Sequence, residues 1–130
     1  PVLGNGHAGF GGRSGETHQR QRWQSAPGRP NKAAGDALGI DLLNNPYLVE
    51  QDAAVAWKTA LWYWNTQTGP GTMTPHHAMV SSAGFGETIR SINGSLECNG
   101  GNPGQVQSRI NSYTSFVQIL GTTPGANLSC

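Results

Sequence analysis

The sequence predicts a mainly α-helical domain with an irregular amino-terminal segment, and three observations carry that expectation. From Asn31 onward, capping residues and Gly or Asn stops punctuate a series of helical periods. After residue 31 there is no alternating apolar and polar run of useful length, so strands are not expected. Residues 1–31, by contrast, hold seven Gly and only six apolar residues, Val2, Leu3, Ala8, Phe10, Trp23 and Ala26, too few to cover the entropy of ordering them.

Taken in order, Asn31 is placed to cap a short helix over residues 32–38, with Gly39 as its stop. Asn45 followed by Pro46 reads as N-cap and first helical residue of a second helix. Asp52 opens the run AAVAWKTALWYWN, in which Ala54, Trp57, Leu61 and Trp64 share one face while Val55 and Trp62 lie beside and across from it. Apolarity on all sides predicts burial on several sides. Thr74 and Pro75 repeat the cap pattern for a short turn, and Gly84-Phe85-Gly86 leads into ETIRSIN, which is expected to end at Asn93-Gly94 in a left-handed terminus. Asn102 caps the last helix and Pro103 begins it. Val106, Ile110, Tyr113, Val117 and Leu120 then form its core stripe, and Gly121 stops it.

The 130 residues carry a net charge of +1, with 19 Gly, 8 Pro and only 12% charged residues, which describes one loop-rich globular domain with a modest core. That balance gives no electrostatic footprint for nucleic acid or anionic lipid, and no stretch is long and apolar enough to span a membrane. The charge is uneven: Arg13, Arg20, Arg22 and Arg29 face Glu16 alone in residues 1–31. The start lacks an apolar h-region with a cleavage site, so a mature or truncated beginning is the expectation rather than a signal peptide. Cys98 and Cys130 allow one pairing and neither lies in a zinc-type spacing. A disulfide in an oxidising, extracellular setting is the expected use, with two buried free thiols as the alternative.

Several motifs have bland readings. Gly4-Asn5-Gly6-His7-Ala8-Gly9 matches G-x-G-x-x-G but lacks the strand before it and the helix after it that would present phosphate-binding amides. His76 and His77 are adjacent and diverge on a helix, and His7 and His18 lie in the unpatterned segment, so no metal site and no cofactor is expected. Asn93-Gly94-Ser95 and Asn127-Leu128-Ser129 match the short glycosylation sequon.

KAAGDALGIDLLNNP, AVAWKTALWYWNTQ, GFGETIRSINGSLEC, SRINSY and the closing NLSC together resemble the C-terminal part of family 19 chitinases, especially their secreted bacterial branch. The likeness covers residues 32–130, and INGSLEC with an Arg eleven residues beyond its Cys is its most specific part. Residues 1–31 stand outside it as an unmatched Gly-, Arg- and Pro-rich segment.

The resemblance implies a lysozyme-like helical lobe, here incomplete, of an enzyme that hydrolyses chitin, the β-1,4-linked polymer of N-acetylglucosamine, with inversion. Inversion needs a general acid and a general base with room for water between them. Both family glutamates precede the matched region, and where the family has a segment of the form YGRGPIQ this chain has WQSAPGRPN. Glu16 shares only Glu-Thr with the family acid motif and is not assigned a catalytic role, so no catalytic residue is identified and the chain alone is expected to be weakly active or inactive. By the resemblance, Asn93 bonds the sugar at the cleavage point, the Ile92 backbone lines the cleft, Glu97 and Arg109 orient the general acid, and Cys98 pairs with Cys130. A non-catalytic module that binds chitin oligosaccharides is the competing reading. Without the other lobe, some of the apolar surface of residues 52–66 is expected to face water and to drive self-association or leave a marginal fold.

Overall fold

The computed structural model describes residues 30–130. The expectations for residues 1–29, including the irregular segment, the run from Gly4 to Gly9, His7, Glu16 and His18, lie outside the described residues. Among the described residues all regular structure is helical: α1 (Pro30–Leu38), α2 (Leu48–Gln51), α3 (Ala53–Thr66), α4 (Pro75–Val80), α5 (Phe85–Glu97) and α6 (Pro103–Ile119). The mainly helical class read from the sequence is correct. The described residues divide into two units, 30–56 and 57–130.

In the first unit α1 starts at Pro30, so Asn31 lies inside the helix instead of capping it. Proline, with its fixed φ and missing N–H, is itself suited to the first helical position. The far end is as expected: Gly39 takes φ +68°, and the Ile40 N–H reaches back to Gly35 O at 2.9 Å, closing a Schellman motif. Gly35 admits that turn because a Cβ there would overlap Ile40 O. Next, Asn44 donates its side-chain amide at 2.8 Å and its backbone N–H at 3.1 Å to Asp41, holding that carboxyl below its ordinary range. The cap expected at Asn45 does not form. Its amide donates to Asp41 O at 3.3 Å, its own carbonyl accepts from Leu48 N–H at 3.3 Å, and α2 begins only at Leu48. Asp52 does open α3, accepting from Ala54 N–H at 2.8 Å and Val55 N–H at 3.2 Å.

In the second unit the helix pairs in contact are α4 with α5 and α5 with α6. Their core is Ile89, Cys98 and Val106, flanked by Phe85, Ile110 and Cys130, and the Phe85 and Tyr113 rings stack at 4.1 Å. Within the second unit the α3 residues reach another helix through the Tyr63 side chain, which bonds Ser91 O of α5. Trp57 is 70% exposed and Leu61 57%, so burial on several sides fails at these positions. Thr74 and Asn102 cap α4 and α6 as predicted, each accepting at 3.1 Å from a backbone N–H three residues on, with Pro75 and Pro103 leading the helices. In α6, Val106 and Val117 are buried and Ile110 and Tyr113 half-buried. Leu120 is not part of the stripe. It falls at the C-cap and is 78% exposed, because Gly121, at φ +71°, turns the chain there and Thr122 N–H bonds Val117 O at 3.1 Å.

The last residues fold back over the start of α5. Tyr113 donates to Pro124 O at 3.0 Å, Asn127 Nδ2 to Ala83 O at 3.2 Å, and Gly86 N–H to Asn127 O at 2.9 Å. Cys98 and Cys130 form a disulfide, which settles the choice against free thiols.

Candidate functional site

The site grows from one carboxylate at the end of α5. Glu97 is 3% exposed and accepts three side-chain hydrogen bonds: from Arg109 Nε at 2.7 Å on Oε2, from Arg109 Nη2 at 2.8 Å on Oε1, and from Asn93 Nδ2 at 2.7 Å, also on Oε1. The two-pronged Arg contact is the geometry that makes guanidinium a specific partner for carboxylate. Local chain chemistry sets it up. Asn99 (φ 55°) and Gly100 (φ 83°) turn the chain after Cys98, Asn102 N–H bonds Glu97 O at 3.0 Å, and Asn102 then caps α6, two turns of which bring Arg109 back beside Glu97.

Burial is the largest single influence on the Glu97 carboxyl and pushes its pKa up. The hydrogen bonds from Arg109 and then Asn93, with the Arg109 charge, outweigh it, so the net shift is downward. Glu97 is therefore held as an anion, suited to orienting cations and amides rather than donating a proton.

Asn93 sits where α5 is broken. Its φ of −149° and ψ of 29° are not helical, so two helical stretches meet there in a kink: the break expected at Asn93-Gly94 is present, and a further turn runs on from it to Glu97. Gly94 is not left-handed: it is buried because the Arg90 side chain lies against it, a Cβ there falling 3.0 Å from Arg90 Cγ. Kinks of this kind arise where another group inserts into the helical ladder or at Gly and Ser pairs, and a Gly-Ser pair and a side-chain donor to the helix both lie here. Gly94 precedes Ser95, and the Tyr63 hydroxyl donates to Ser91 O at 2.8 Å. Ile92 is 43% exposed.

Ile92, Asn93, Glu97 and Arg109 are thus gathered at the α5 kink and the facing turn of α6, with the disulfide at the neighbouring Cys98. His76 and His77 are exposed on α4, and among the described residues no three His, Cys, Asp or Glu side chains gather to hold a metal. The sequon asparagines both have their amides engaged, Asn93 by Glu97 and Asn127 by Ala83 O. A shallow depression of about 350 Å³ lies elsewhere, in the first unit, and holds none of these residues.

The family model for class I chitinases, glycoside hydrolase family 19, matches residues 13–130. The chain belongs to glycoside hydrolase family 19. This family 19 chain is 81% identical to chitinase C from Streptomyces griseus, covering 77% of this chain and 48% of that one at a TM-score of 0.75. With a class IV chitinase of the family from Zea mays it shares 39% identity, over 84% of this chain and 56% of that one, at a TM-score of 0.67. Endochitinase EP3 of Arabidopsis thaliana is 47% identical over 97 residues, 75% of this chain and 32% of that protein. The chain therefore spans about half the length of the bacterial structure and a third of the plant sequence. Its helical fold is that of the family's lysozyme-like domain, over part of its length. Glu16 falls inside the matched span and outside the described residues.

Sequence reasoning paired Glu97 with Arg109 but not with Asn93, although a separation of four in a helical segment was a usable signal. It missed Tyr63, which it read only as part of an apolar run. Nothing local announces a hydroxyl whose acceptor lies 28 residues away.

Proposed function

We propose that residues 32–130 are the C-terminal part of a chitinase catalytic domain, in which Asn93 and the Ile92 backbone hold N-acetylglucosamine at the cleavage point. The observation that carries this reading is the carboxylate shared by Asn93 and Arg109. With Nδ2 committed to Glu97, the Asn93 side chain presents its carbonyl oxygen as an acceptor for a sugar N–H or O–H. Arg109 uses only Nε and Nη2 on Glu97, which leaves Nη1 for a second carboxylate, the general acid of the family.

In this reading residues 30–130 grip the substrate but do not cut it. Asp36 is paired with Lys32, Asp41 with Asn44, Asp52 with the start of α3 and Glu87 with Arg90, and Glu50 is exposed on α2 in the first unit, apart from Asn93 in the sequence. Glu97 is held ionised, opposite to what a general acid needs. Each missing acid or base forfeits a factor of about 10² to 10⁴ in rate, so the chain alone is at most weakly active. The disulfide fits an oxidising compartment and supports secretion, with chitin or its oligomers as the partner.

The held anionic state of Glu97 also favours a second reading, a module that binds chitin oligosaccharides without catalysis. Titration of the chain with chitotetraose, alongside a hydrolysis assay, tests both. Saturable binding abolished in Asn93→Ala, with little turnover, is the expected result. Turnover at the rate of a complete family 19 enzyme would overturn the assignment of the acid and base outside this chain, and silence at millimolar sugar would overturn sugar binding. Hydrolysis regained when the remaining part of a family 19 domain is added favours the first reading, and binding without regained hydrolysis favours the second.

A further inference from the structure

The Tyr63 hydroxyl is not explained by the network around Glu97. It projects from the half-buried face of α3 and donates to Ser91 O at 2.8 Å, two residues before Asn93, at the turn where α5 departs from helical geometry. Ser91 is wholly buried and gripped a second time through its own hydroxyl, which donates to Gln67 O at 3.3 Å. The intervening chain admits this grip only because it lacks side chains. At Gly69, φ is +52° and a Cβ would overlap both Ser91 O and the Tyr63 hydroxyl, while one at Gly71 would come within 3.1 Å of Ser91 N. Three features thus converge on one residue, Ser91: a hydroxyl donor on its carbonyl, a side-chain anchor and two glycines that make room.

We propose that Tyr63 is a positioning residue for Asn93: its hydroxyl holds the kink in α5 open and so fixes the direction in which Ile92 and Asn93 face the substrate. Without the hydroxyl, Ser91 O returns to a regular helical acceptor role, the kink closes, and the Asn93 amide leaves its place on Glu97. The consequence for ligand rests on the assignment of Asn93 to sugar binding, whereas the geometric consequence does not.

Tyr63→Phe, which removes one oxygen, is the test, made on the full chain. Its first readout needs no sugar: the side-chain amide resonance of Asn93 and the helical secondary shifts of residues 91–95 by NMR. Both are expected to move toward regular helix, and a change in melting temperature with these signals unmoved would overturn the proposal. The second readout is chitotetraose affinity, expected to fall about 3- to 10-fold in Tyr63→Phe, in line with one part-buried hydrogen bond, and not at all when Asn93 is already Ala. A loss persisting in the Asn93→Ala background would overturn positioning through Asn93. If Asn93→Ala itself leaves affinity unchanged, the sugar-binding assignment fails and the NMR signals alone decide the positioning role. Gly69→Ala, which pushes on the same two oxygens from the other side, is expected to move the same resonances and serves if Tyr63→Phe does not fold.

Discussion

Glu97 shows how a single residue can tie stability to pH. An unfolded glutamate titrates at about 4.3, and in the native chain Arg109 and Asn93 hold the carboxyl lower. The unfolded state therefore binds more protons than the native one as pH drops below that value, so the contribution of Glu97 is complete above it and is lost as pH falls through the native pKa. In Glu97→Gln the Arg109 guanidinium, 21% exposed, loses its counter-charge, and about 3 kcal/mol of stability at neutral pH is expected to go with it. The variant should also lose stability less steeply than the parent between about pH 5 and pH 3, as urea unfolding across that range will show. Asn93→Ala removes one of the hydrogen bonds that lower the pKa, so an NMR titration of Glu97 should give a higher value than in the parent. An unmoved titration would mean that the 2.7 Å contact does not persist in solution.

At the scale of the element, the helix ends that were legible are those whose chemistry is complete within four or five residues. Thr74, Asn102 and Asp52 accept from their own helices, and Gly39 and Gly121 take the left-handed turn that ends theirs. Asn102→Ala should accordingly cost about 1 kcal/mol, seen as a lower urea midpoint at unchanged slope. The misread ends are those where a neighbour outbid a plausible cap. Pro30 starts α1 ahead of Asn31, and Asp41 engages Asn45 before it can cap. Leu120 continues the spacing of α6 but falls at the C-cap, so periodicity counts it where geometry does not. The site was legible only through resemblance: INGSLEC and the downstream Arg named Asn93, Glu97 and Arg109. The kink left its trace in Asn93-Gly94, read as a helix end, while the contact made by Tyr63 left none. A helix broken by a hydroxyl from another element has the same composition as an unbroken one.

At the scale of the whole molecule, what holds the second unit together is partly covalent. The disulfide joins residues 32 apart, and closing a loop of that length limits the unfolded chain by about 3.7 kcal/mol in the chain-entropy model. Cys98 is also a core residue beside Glu97, so reduction is expected to lower the unfolding free energy by about that amount and to loosen the Glu97 network with it. Apolar packing supplies less than the composition suggests. Trp57 and Leu61 are four residues apart on α3, and Phe116, Ile119 and Leu120 are spaced by three and four at the end of α6, all of them more than half exposed. Each large apolar side chain left in water forgoes about 1.5 to 3 kcal/mol of burial, which two copies of the chain recover in part by covering one another. The chain is therefore expected to associate in a concentration-dependent way, strengthened by salt that favours apolar burial, such as sulfate. Replacing Phe116, Ile119 and Leu120 by Ser should shift sedimentation toward the monomer without lowering the melting temperature, because exposed side chains contribute little to the folded core. A parent chain that sediments as a single monomer at millimolar concentration would show instead that these residues are tolerated in water one by one, as isolated surface apolar groups commonly are.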